Sequence, residues 1–382
     1  MTAALRVSVD VTAVPDRPAG AGRYVIELVR GLDRRDEVEL VLIARAEDSG
    51  RWAQLAPRAE VAALAPSRRP VRLLWEQLRL PSLLDRLGVD VHHAPHYTMP
   101  ERARVPVVVT VHDLTLFDNP EWHERSKVLV FRRAIAVATR RADALVCVSA
   151  DTAGRLAQRF GDLPEVRVVP HGVDHARFRP GGADDAANDA AQLDALGVVG
   201  PYVVFVGTLE PRKNVHELVA AFDGVASGHP ALSLVLAGRR GWGTTALDAA
   251  LDASPHRDRV HVLGFVDDAS VPSLLRRAAV VAYPSLAEGF GLPALEALAC
   301  GAPLVTTTGS AIEELVGDAA VLVPPGDVTA LTEALRSVLD DPSGATALRA
   351  AGPARAARYT WDATIDAHIA LYREAASRRV RG

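Results

Sequence analysis

Cysteine is scarce in this sequence, and no long hydrophobic run is present. Cys147 and Cys300 are the two cysteines among 382 residues, which excludes a disulfide framework and makes a reducing cytoplasm the expected location. No segment approaches the roughly 18–20 consecutive apolar residues of a membrane span. The segment from Met1 to Val11 lacks the basic start and apolar core of a signal peptide. We therefore expect a protein that is neither secreted by that route nor embedded in a bilayer.

Basic excess and a complete dinucleotide-binding fingerprint are also lacking. The 43 Lys and Arg residues against 47 Asp and Glu residues give a formal net charge of −4, whereas a nucleic-acid binder usually has a strongly basic domain. Gly20 and Gly22 precede a helical pattern, but Val25 stands where the fingerprint has its third glycine. A nicotinamide dehydrogenase is therefore disfavoured. The two glycines suit close approach of a phosphate or sugar oxygen to the backbone, and a plain tight turn equally.

The length and the hydrophobic pattern predict two α/β domains. At 382 residues the chain exceeds the roughly 250–300 residues that one core usually supports. Short continuous apolar runs alternate with helical patterns in both halves, as is typical of parallel strands buried on both faces. Pro180 to Gln192, rich in Gly, Asp, Asn and Ala, is predicted to be a linker. We predict doubly wound domains over residues 1–179 and 180–360, with a last helix in 361–382 that packs on its own domain or on the first.

The predicted strands define where ligand-binding residues should lie, because open α/β sheets bind ligands beyond the carboxyl ends of their strands. In the first half the runs are Leu5–Val11, Val38–Ile43, Val89–His93, Val105–Val111, Ala144–Ser149 and Val166–Val169. In the second half they are Tyr202–Val206, Leu232–Ala237, Val260–Leu263, Ala279–Tyr283, Pro303–Thr307 and Ala320–Val323.

Histidines follow two of the strands in the first half. His112 comes directly after Val105–Val111, where it suits either a cleft edge or the cap of the next turn. His92 and His96 stand four residues apart, a spacing that suits a metal site on a helix. Pro95 prevents a helix there, so we favour a loop over a metal site.

Two motifs in the second half combine charge with glycine. Gly207 ends the first strand of that half and leads to Arg212, Lys213 and Asn214, which we expect to cap the next helix. Two cations at a helix N-terminus suit a diphosphate, and a solvated basic loop is the alternative. Later, a strand leads into Glu288 and a glycine-rich turn, and the helix that follows carries Glu296 in its first turns. Two carboxylates placed in this way suit hydrogen bonds with sugar hydroxyls, and a charged surface loop is the alternative. The residues of that turn are Gly289, Phe290, Gly291 and Leu292.

At these residues the chain resembles the family 4 glycosyltransferases, which have the GT-B fold of two Rossmann-like domains with an interdomain cleft. The resemblance rests on Glu288 and Glu296 with seven residues between them, on Glu-Gly-Phe-Gly-Leu-Pro, and on Gly-Thr-Leu-Glu-Pro-Arg-Lys-Asn. It extends over nearly the whole chain, through Gly-Ala-Gly-Arg-Tyr, Val-His-Asp and Val-Pro-His-Gly-Val-Asp. Arg212 and Lys213 are adjacent, whereas many members of the family space them several residues apart.

The resemblance implies a role for each motif. Arg212 and Lys213 would hold the donor diphosphate, Glu288 with the backbone of 289–292 would orient the donor sugar, and Glu296 would bind the ribose. Further implied contacts come from His112 to the sugar or reacting centre, from Gly20 and Gly22 to the phosphate and acceptor, and from Gly207 to the donor. Members of the family transfer with retention of configuration.

The resemblance also implies a substrate class. Mannosyl- or related hexosyltransferases of polysaccharide assembly are the nearest match, with GDP-mannose as the favoured donor, a UDP-hexose as the second choice, and a glycan or lipid-linked saccharide as the acceptor. No two aspartates are separated by a single residue, so we expect neither an Asp-x-Asp metal site nor a cofactor. A nucleotide-sugar epimerase on the same fold and a non-catalytic nucleotide-sugar-binding protein are the alternatives.

Two basic segments bear on membrane contact. Arg68 to Arg79 contains aliphatic residues and Trp75 among its arginines, and Arg125 to Arg141 is a second basic stretch. Together they suit either a peripheral contact with anionic lipid at the inner face of the membrane or a solvated helix face that covers the core.

Overall fold

The computed structural model describes residues 4–18 and 20–380, without the side chains of residues 379 and 380. It divides into two compact units, one of Met1–Gly172 with Trp361–Gly382 and one of Val173–Thr360. The division thus precedes the expected one at residue 179, and the last helix belongs to the first unit. Residues 1–3 of the predicted N-terminal segment and 381–382 of the predicted tail lie outside the described residues.

The first unit contains a parallel sheet of seven strands in the order β3-β2-β1-β4-β5-β6-β7. Its strands are β1 Leu5–Asp10, β2 Val38–Arg45, β3 Glu60–Ala65, β4 Val91–Ala94, β5 Val107–Val111, β6 Ala144–Cys147 and β7 Glu165–Val168. β5 and β6 are nearly continuous runs of valine and other apolar residues because helices cover both faces of a parallel sheet.

The second unit contains a parallel sheet of six strands in the order β10-β9-β8-β11-β12-β13. Its strands are β8 Tyr202–Val206, β9 Ser233–Ala237, β10 Val260–Gly264, β11 Val280–Tyr283, β12 Leu304–Thr307 and β13 Val321–Val323. Both sheets reverse their strand order beside the first strand of the unit. Each unit is therefore doubly wound, as predicted.

Helices connect the strands in both units. In the first unit they are α1 Ala21–Asp33, α2 Ser49–Leu55, α3 Arg69–Leu78, α4 Leu80–Leu87, α5 Thr115–Asp118, α6 Arg125–Arg141 and α7 Ala150–Phe160, with α16 Trp361–Val380 from the end of the chain. In the second unit they are α8 Asp185–Ala195, α9 Val215–Ala226, α10 Thr245–Ala253, α11 Val271–Arg277, α12 Leu292–Ala299, α13 Ala311–Val316, α14 Val328–Asp340 and α15 Pro342–Ala356. No helix within residues 4–18 and 20–380 is long and apolar enough to cross a membrane.

The last helix, α16, is part of the core of the first unit. Ile365, Ile369 and Tyr372 are buried among residues of β1, β2 and α1. Gly31 of α1 lies so close to Ile365 that a Cβ at this position would meet the isoleucine side chain at 2.3 Å. The apolar spacing that predicts this helix therefore marks the face that packs on the first unit.

The predicted linker is wrong over most of its length, because residues 185–195 form helix α8. Asp189 is buried and accepts hydrogen bonds from Ser273 Oγ at 2.7 Å and from Arg276 Nε at 2.9 Å, both on α11. Leu193 on the same helix is buried as well. The segment has few apolar side chains because a buried ion pair supplies part of its docking.

Candidate active site

The second sheet reverses its strand order between β8 and β11, which is where doubly wound sheets bind ligands. β8 runs into Gly207 and then the short 3-10 helix Pro211–Lys213, while β11 runs into the loop that carries Glu288. A backbone hydrogen bond of 2.8 Å from Leu286 N to Arg212 O joins the two loops. The topology therefore places the two charged motifs side by side.

Arg212 and Lys213 share one carboxylate. Arg212 Nη1 lies 2.6 Å from Glu288 Oε2, and Lys213 Nζ donates to Oε1 of the same side chain. Arg212 also donates to the carbonyl of Ala287 at 2.9 Å and pairs with Glu210 at 3.0 Å. Adjacent cations are thus accommodated because each takes a different oxygen of Glu288.

Tyr283, the last residue of β11, completes this cluster and was not singled out from the sequence. Its hydroxyl donates to Glu288 Oε1 at 3.1 Å and accepts from Lys213 Nζ, which lies 4.8 Å from the centroid of the phenol ring. The available signal was a hydroxyl-bearing aromatic at the carboxyl end of a buried strand, directly before the Glu288 loop.

Burial and charge oppose each other in this cluster. Lys213 is 7% and Glu288 9% exposed. Burial alone would raise the pKa of Glu288, but the charges and hydrogen bonds of Arg212 and Lys213 outweigh it and lower that pKa to about 2. Burial, followed by repulsion from Arg212, lowers the pKa of Lys213. Glu288 is therefore an ionised acceptor at neutral pH, held by charge-assisted hydrogen bonds.

The glycine-rich turn leads directly into α12. Gly291 occupies the N-cap position with φ +102°, and a Cβ there would lie 2.8 Å from Ile312. Glycine is needed because a side chain would clash and would rarely adopt this conformation. Leu292 begins the helix, and Glu296 is buried within it. The backbone N–H groups of the helix start and the Glu296 carboxyl thus belong to one short element.

Asn214 stands at the N-cap position of α9, but its side chain does not cap the helix. The residue has φ +55°, and its Nδ2 donates to Glu217. The buried Oδ1 of Asn214 has no hydrogen-bond partner. The predicted cap by this side chain is therefore wrong, and a left-handed residue closes the turn after Lys213.

In the first unit, His112 directly follows β5 and is buried. Its Nε2 donates to the carbonyl of Pro95 at 2.8 Å, so the neutral ring carries its proton on Nε2 and leaves Nδ1 as an acceptor. Burial lowers the pKa of His112 below its usual value, so the ring is neutral at pH 7. The rings of Tyr24 and Tyr97 meet it edge-on at centroid distances of 5.4 and 5.7 Å.

Gly20 and Gly22 lie at the start of α1. Gly20 is the N-cap residue, and a Cβ on Gly22 would lie 2.9 Å from Cβ of Pro18. The second glycine therefore allows the loop after β1 to fold back on the helix. This gives Gly22 a packing reason in addition to the ligand contact expected from the sequence.

His92 and His96 stand on either side of Pro95, on β4 and shortly after it. His92 lies on β4 and its Nδ1 is 2.9 Å from Ser8 Oγ, within the sheet. Throughout the part of the chain that the structure describes, no group of three His, Cys, Asp or Glu residues could hold a metal ion.

Comparison with known proteins identifies the family. Residues 18–177 match the family model described as Glycosyltransferase Family 4, and residues 197–355 match Glycosyl transferases group 1. A D-inositol 3-phosphate glycosyltransferase of Salinispora tropica is 31% identical over 396 aligned positions, covering 93% of this chain and 81% of its own. An O-antigen chain mannosyltransferase B of Escherichia coli is 29% identical over 359 positions, covering 90% and 93%. The chain belongs to the family 4 glycosyltransferases.

The solved structures agree with this assignment at the level of the fold. Anabaena HepE, determined in complex with UDP-glucose, superimposes with a TM-score of 0.77 at 21% identity and covers 98% of this chain and 99% of its own. This family 4 glycosyltransferase is therefore a two-domain α/β protein with the GT-B fold, and its enzyme class is that of the glycosyltransferases.

The candidate residues of this glycosyltransferase are divided between its two units. The second unit holds Gly207, Arg212, Lys213, Glu288, Gly289, Phe290, Gly291, Leu292 and Glu296. The first unit holds Gly20, Gly22 and His112. Direct side-chain contacts join Arg212, Lys213 and Glu288, whereas His112 contacts residues of the first unit.

Proposed function

We propose that this glycosyltransferase moves a hexose, with retention of configuration, from a nucleotide-diphosphate sugar to a glycan or lipid-linked saccharide. The buried cluster of Arg212, Lys213 and Glu288 at the strand reversal of the second sheet carries the proposal. A leaving nucleoside diphosphate needs cations to stabilise its charge, and a sugar needs carboxylate acceptors for its hydroxyls. Both kinds of group meet here in one buried cluster.

We assign the donor as GDP-mannose, with a UDP-hexose as the second candidate. The mannose assignment is supported by the relative named O-antigen chain mannosyltransferase B. The second candidate is supported by the bound UDP-glucose of Anabaena HepE, which has the same fold.

The proposed roles follow the chemistry of each side chain. Arg212 and Lys213 bind the diphosphate, Glu288 and the backbone of 289–292 orient the sugar, and Glu296 binds the ribose. Gly207, Gly20 and Gly22 border the phosphate and acceptor. His112 engages the sugar or the reacting centre, and its neutral ring suits hydrogen bonding at Nδ1.

A front-face transfer fits these roles. The bond between the anomeric carbon and the donor phosphate oxygen breaks, the acceptor hydroxyl oxygen bonds to that carbon from the same face, and the leaving diphosphate takes the hydroxyl proton. Glu288 is already bound to two cations, which lowers its pKa to about 2 and makes it a weak nucleophile. We therefore propose no covalent intermediate on Glu288. We also propose a metal-independent step, because the cations of Arg212 and Lys213 can meet the charge of the diphosphate.

Incubation of the purified protein with a panel of nucleotide sugars tests the proposal. Nucleoside diphosphate release is measured with and without a mixture of glycan and lipid-linked acceptors. Release that depends on acceptor, strongest with GDP-mannose, is the expected result. Conversion of the donor sugar without any acceptor would instead indicate an epimerase, and binding without turnover a non-catalytic protein.

We further propose a cytoplasmic location with peripheral contact to the inner face of the membrane. Val71, Leu74 and Leu78 of α3 and Leu129 of α6 are exposed, as are Arg79, directly after α3, and Arg125, at the start of α6. Exposed aliphatic groups with adjacent cations suit an anionic lipid surface. Flotation with vesicles that contain anionic lipid should recover the wild type and lose Leu74→Gln/Leu78→Gln. Val199→Gln, which changes an exposed residue of the second unit, is the control, and equal flotation of all three proteins would refute the contact.

A further inference from the structure

A cavity of about 330 Å³ lies entirely within the first unit. Asp10 and Thr12 line it where β1 ends, and residues 94–98 line it where β4 ends. β1 and β4 are the strands between which the first sheet reverses its order. The cavity therefore occupies in the first unit the position at which doubly wound sheets bind ligands, and its volume suits a small molecule.

Three cations from two helices line the cavity. Arg69 and Arg72 come from α3, and Lys127 comes from α6. Lys127 is paired with Glu124 at 2.8 Å. Arg69 packs its guanidinium over the ring of Phe131 at 5.1 Å, and its Nη2 is buried without a hydrogen-bond partner. A buried guanidinium N–H that lacks an acceptor indicates a ligand with acceptor oxygens.

The carboxyl groups in the cavity offset these cations only in part. Burial raises the pKa of Asp10, and burial together with the charge of Asp10 raises the pKa of Glu76 to about 8. Glu76 is thus largely protonated at pH 7, while it accepts hydrogen bonds from Thr98 Oγ1 at 2.8 Å and Gln77 Nε2 at 3.2 Å. Positive charge therefore exceeds negative charge in this cavity at neutral pH.

The loop after β4 shows a second sign of a binding site. Tyr97 has φ +65°, a conformation that costs a bulky residue energy. Tyr97 and Asn214 are the two non-glycine residues with positive φ among those that the structure describes, and Asn214 directly follows Lys213 of the donor cluster. Next to Tyr97, His96 lines the cavity with a buried Nε2 that has no hydrogen-bond partner.

We propose that this cavity binds the phosphate group of an acceptor through Arg69, Arg72 and Lys127. Asp10 and Glu76 then bind neighbouring hydroxyls of the acceptor, which is a phosphorylated saccharide or polyol. The inference rests on the proposed function and narrows it, because it selects anionic acceptors over neutral glycans. A free phosphate ester and a lipid-linked phosphate share this chemistry.

Equilibrium binding of glucose 6-phosphate and glucose tests the cavity separately from catalysis. An excess of GDP or UDP, whichever binds, first occupies the donor cluster so that Arg212 and Lys213 do not contribute. The wild type should prefer the phosphate ester by about tenfold or more, as expected for charge-assisted hydrogen bonds. Arg69→Gln/Arg72→Gln should bind the two probes equally, whereas Arg86→Gln, at an exposed position on α4, should keep the preference.

Equal binding of the two probes by the wild type, or an unchanged preference in Arg69→Gln/Arg72→Gln, would overturn the proposal. Thermal unfolding and nucleoside diphosphate binding must match the wild type for that comparison; if the double variant does not fold, Lys127→Gln provides the same readout. Turnover assays with a soluble saccharide phosphate and with a lipid-linked saccharide diphosphate in vesicles distinguish the two sources. Turnover on neutral acceptors alone overturns this inference and leaves the proposed function intact. Absence of turnover with every donor refutes the proposed function, while the comparison of glucose 6-phosphate with glucose still decides whether the cavity binds a phosphate group.

Discussion

The carboxylate of Glu288 pairs with two cations and is also proposed to orient the donor sugar. Glu288→Gln keeps the shape of the side chain and removes the charge that Arg212 and Lys213 share. We expect turnover to fall about a hundredfold or more, since loss of one preorganised hydrogen bond to the reacting group costs about 3 kcal/mol of transition-state stabilisation. Steady-state release of nucleoside diphosphate, with donor and acceptor saturating, measures the effect.

Glu210→Gln is the matched control for this substitution. Glu210 pairs with Arg212 and is more exposed than Glu288, so we expect a smaller loss of turnover. Loss of one partner from a buried ion pair also destabilises the fold, by about 3–5 kcal/mol, so thermal unfolding must accompany both variants. Near-normal turnover of folded Glu288→Gln would show that Glu288 is not part of the active site.

His112→Ala should separate catalysis from donor binding. The cations proposed to bind the diphosphate belong to the second unit, whereas His112 belongs to the first. We therefore expect kcat to fall while the donor dissociation constant, measured by calorimetry, changes little. A collapse of donor affinity at unchanged kcat would show that His112 does not act at the reacting centre.

Residues with an unusual combination of charge and glycine could be recognised from the sequence, and residues with ordinary core chemistry could not. Arg212, Lys213 and Glu288 follow strand ends in glycine-containing loops, a pattern that a simple packed core does not require. Tyr283 looks like any other buried aromatic in the sequence, because its contact with Lys213 joins residues 70 positions apart. Glu76 was missed for a similar reason, since a glutamate on a basic helix usually faces solvent.

At the scale of secondary structure, α8 shows how a polar helix docks on a domain. The side chains of Asp189 and Arg276 are 3% and 8% exposed, so Asp189→Asn leaves a buried guanidinium without its charge partner. We expect the free energy of unfolding to fall by about 3 kcal/mol. Asp194→Asn on the exposed face of the same helix should change it by less than about 0.5 kcal/mol. Urea denaturation measures both, and equal effects would show that the ion pair does not hold the helix.

Helix α16 is joined to the first sheet by a directional chain of hydrogen bonds. His368 Nδ1 donates to a backbone carbonyl at 2.7 Å, so its Nε2 accepts from Tyr24 Oη at 2.8 Å. Tyr24 Oη then accepts from Thr110 Oγ1 at 3.1 Å, and Thr110 Oγ1 accepts from His93 Nε2 at 2.7 Å. His93 Nδ1 finally accepts from Tyr372 Oη at 2.7 Å. Both imidazoles must be neutral for every bond in this chain to form.

This network predicts acid sensitivity. Burial lowers the pKa of His368 to about 4, whereas an unfolded chain has histidine pKa values near 6.5. As the pH falls, the unfolded state therefore takes up a proton first. The contribution of His368 to the free energy of unfolding is complete above about pH 6.5 and declines toward pH 4, by about 1.4 kcal/mol per pH unit. Urea denaturation between pH 7 and 5 should show a steeper decline for the wild type than for His368→Gln. Parallel declines would exclude His368 as a source of the acid sensitivity.

The hydrophobic pattern predicted the strands at the centre of each sheet and also the edge strands β7, β10 and β13. The valine-rich runs of central strands such as β5 and β8 arise from burial on both faces, a requirement that leaves a strong pattern in the sequence. β3, Glu60–Ala65, was missed because it is an edge strand made largely of alanine, which has a weak preference for strands. The helix α8 was missed because its docking depends on a buried carboxylate, and composition alone does not distinguish a buried aspartate from a solvated one.

For the whole molecule, the alternating pattern of strands and helices predicted two doubly wound units, and the order of motifs along the chain predicted the family. The fold follows from many small, repeated preferences, each of which is visible locally. The donor and acceptor that we propose depend instead on a few contacts between residues distant in the sequence. Asp10, Arg72 and His96 are far apart in the sequence yet line one cavity, and no local sequence pattern predicts that they lie close together.

Activity of the intact enzyme should survive chelation of divalent metals. The sequence contains no Asp-x-Asp element, and the cations of Arg212 and Lys213 can meet the charge of the diphosphate directly. Turnover in EDTA should therefore match that of untreated enzyme, while Arg212→Gln and Lys213→Gln each weaken nucleoside diphosphate binding measured by calorimetry. Raising the salt concentration should weaken binding in the wild type, although less than for an exposed ion pair, because Lys213 is buried. Loss of turnover in EDTA with recovery on addition of magnesium or manganese would contradict this account and require a metal-binding carboxylate at the donor site.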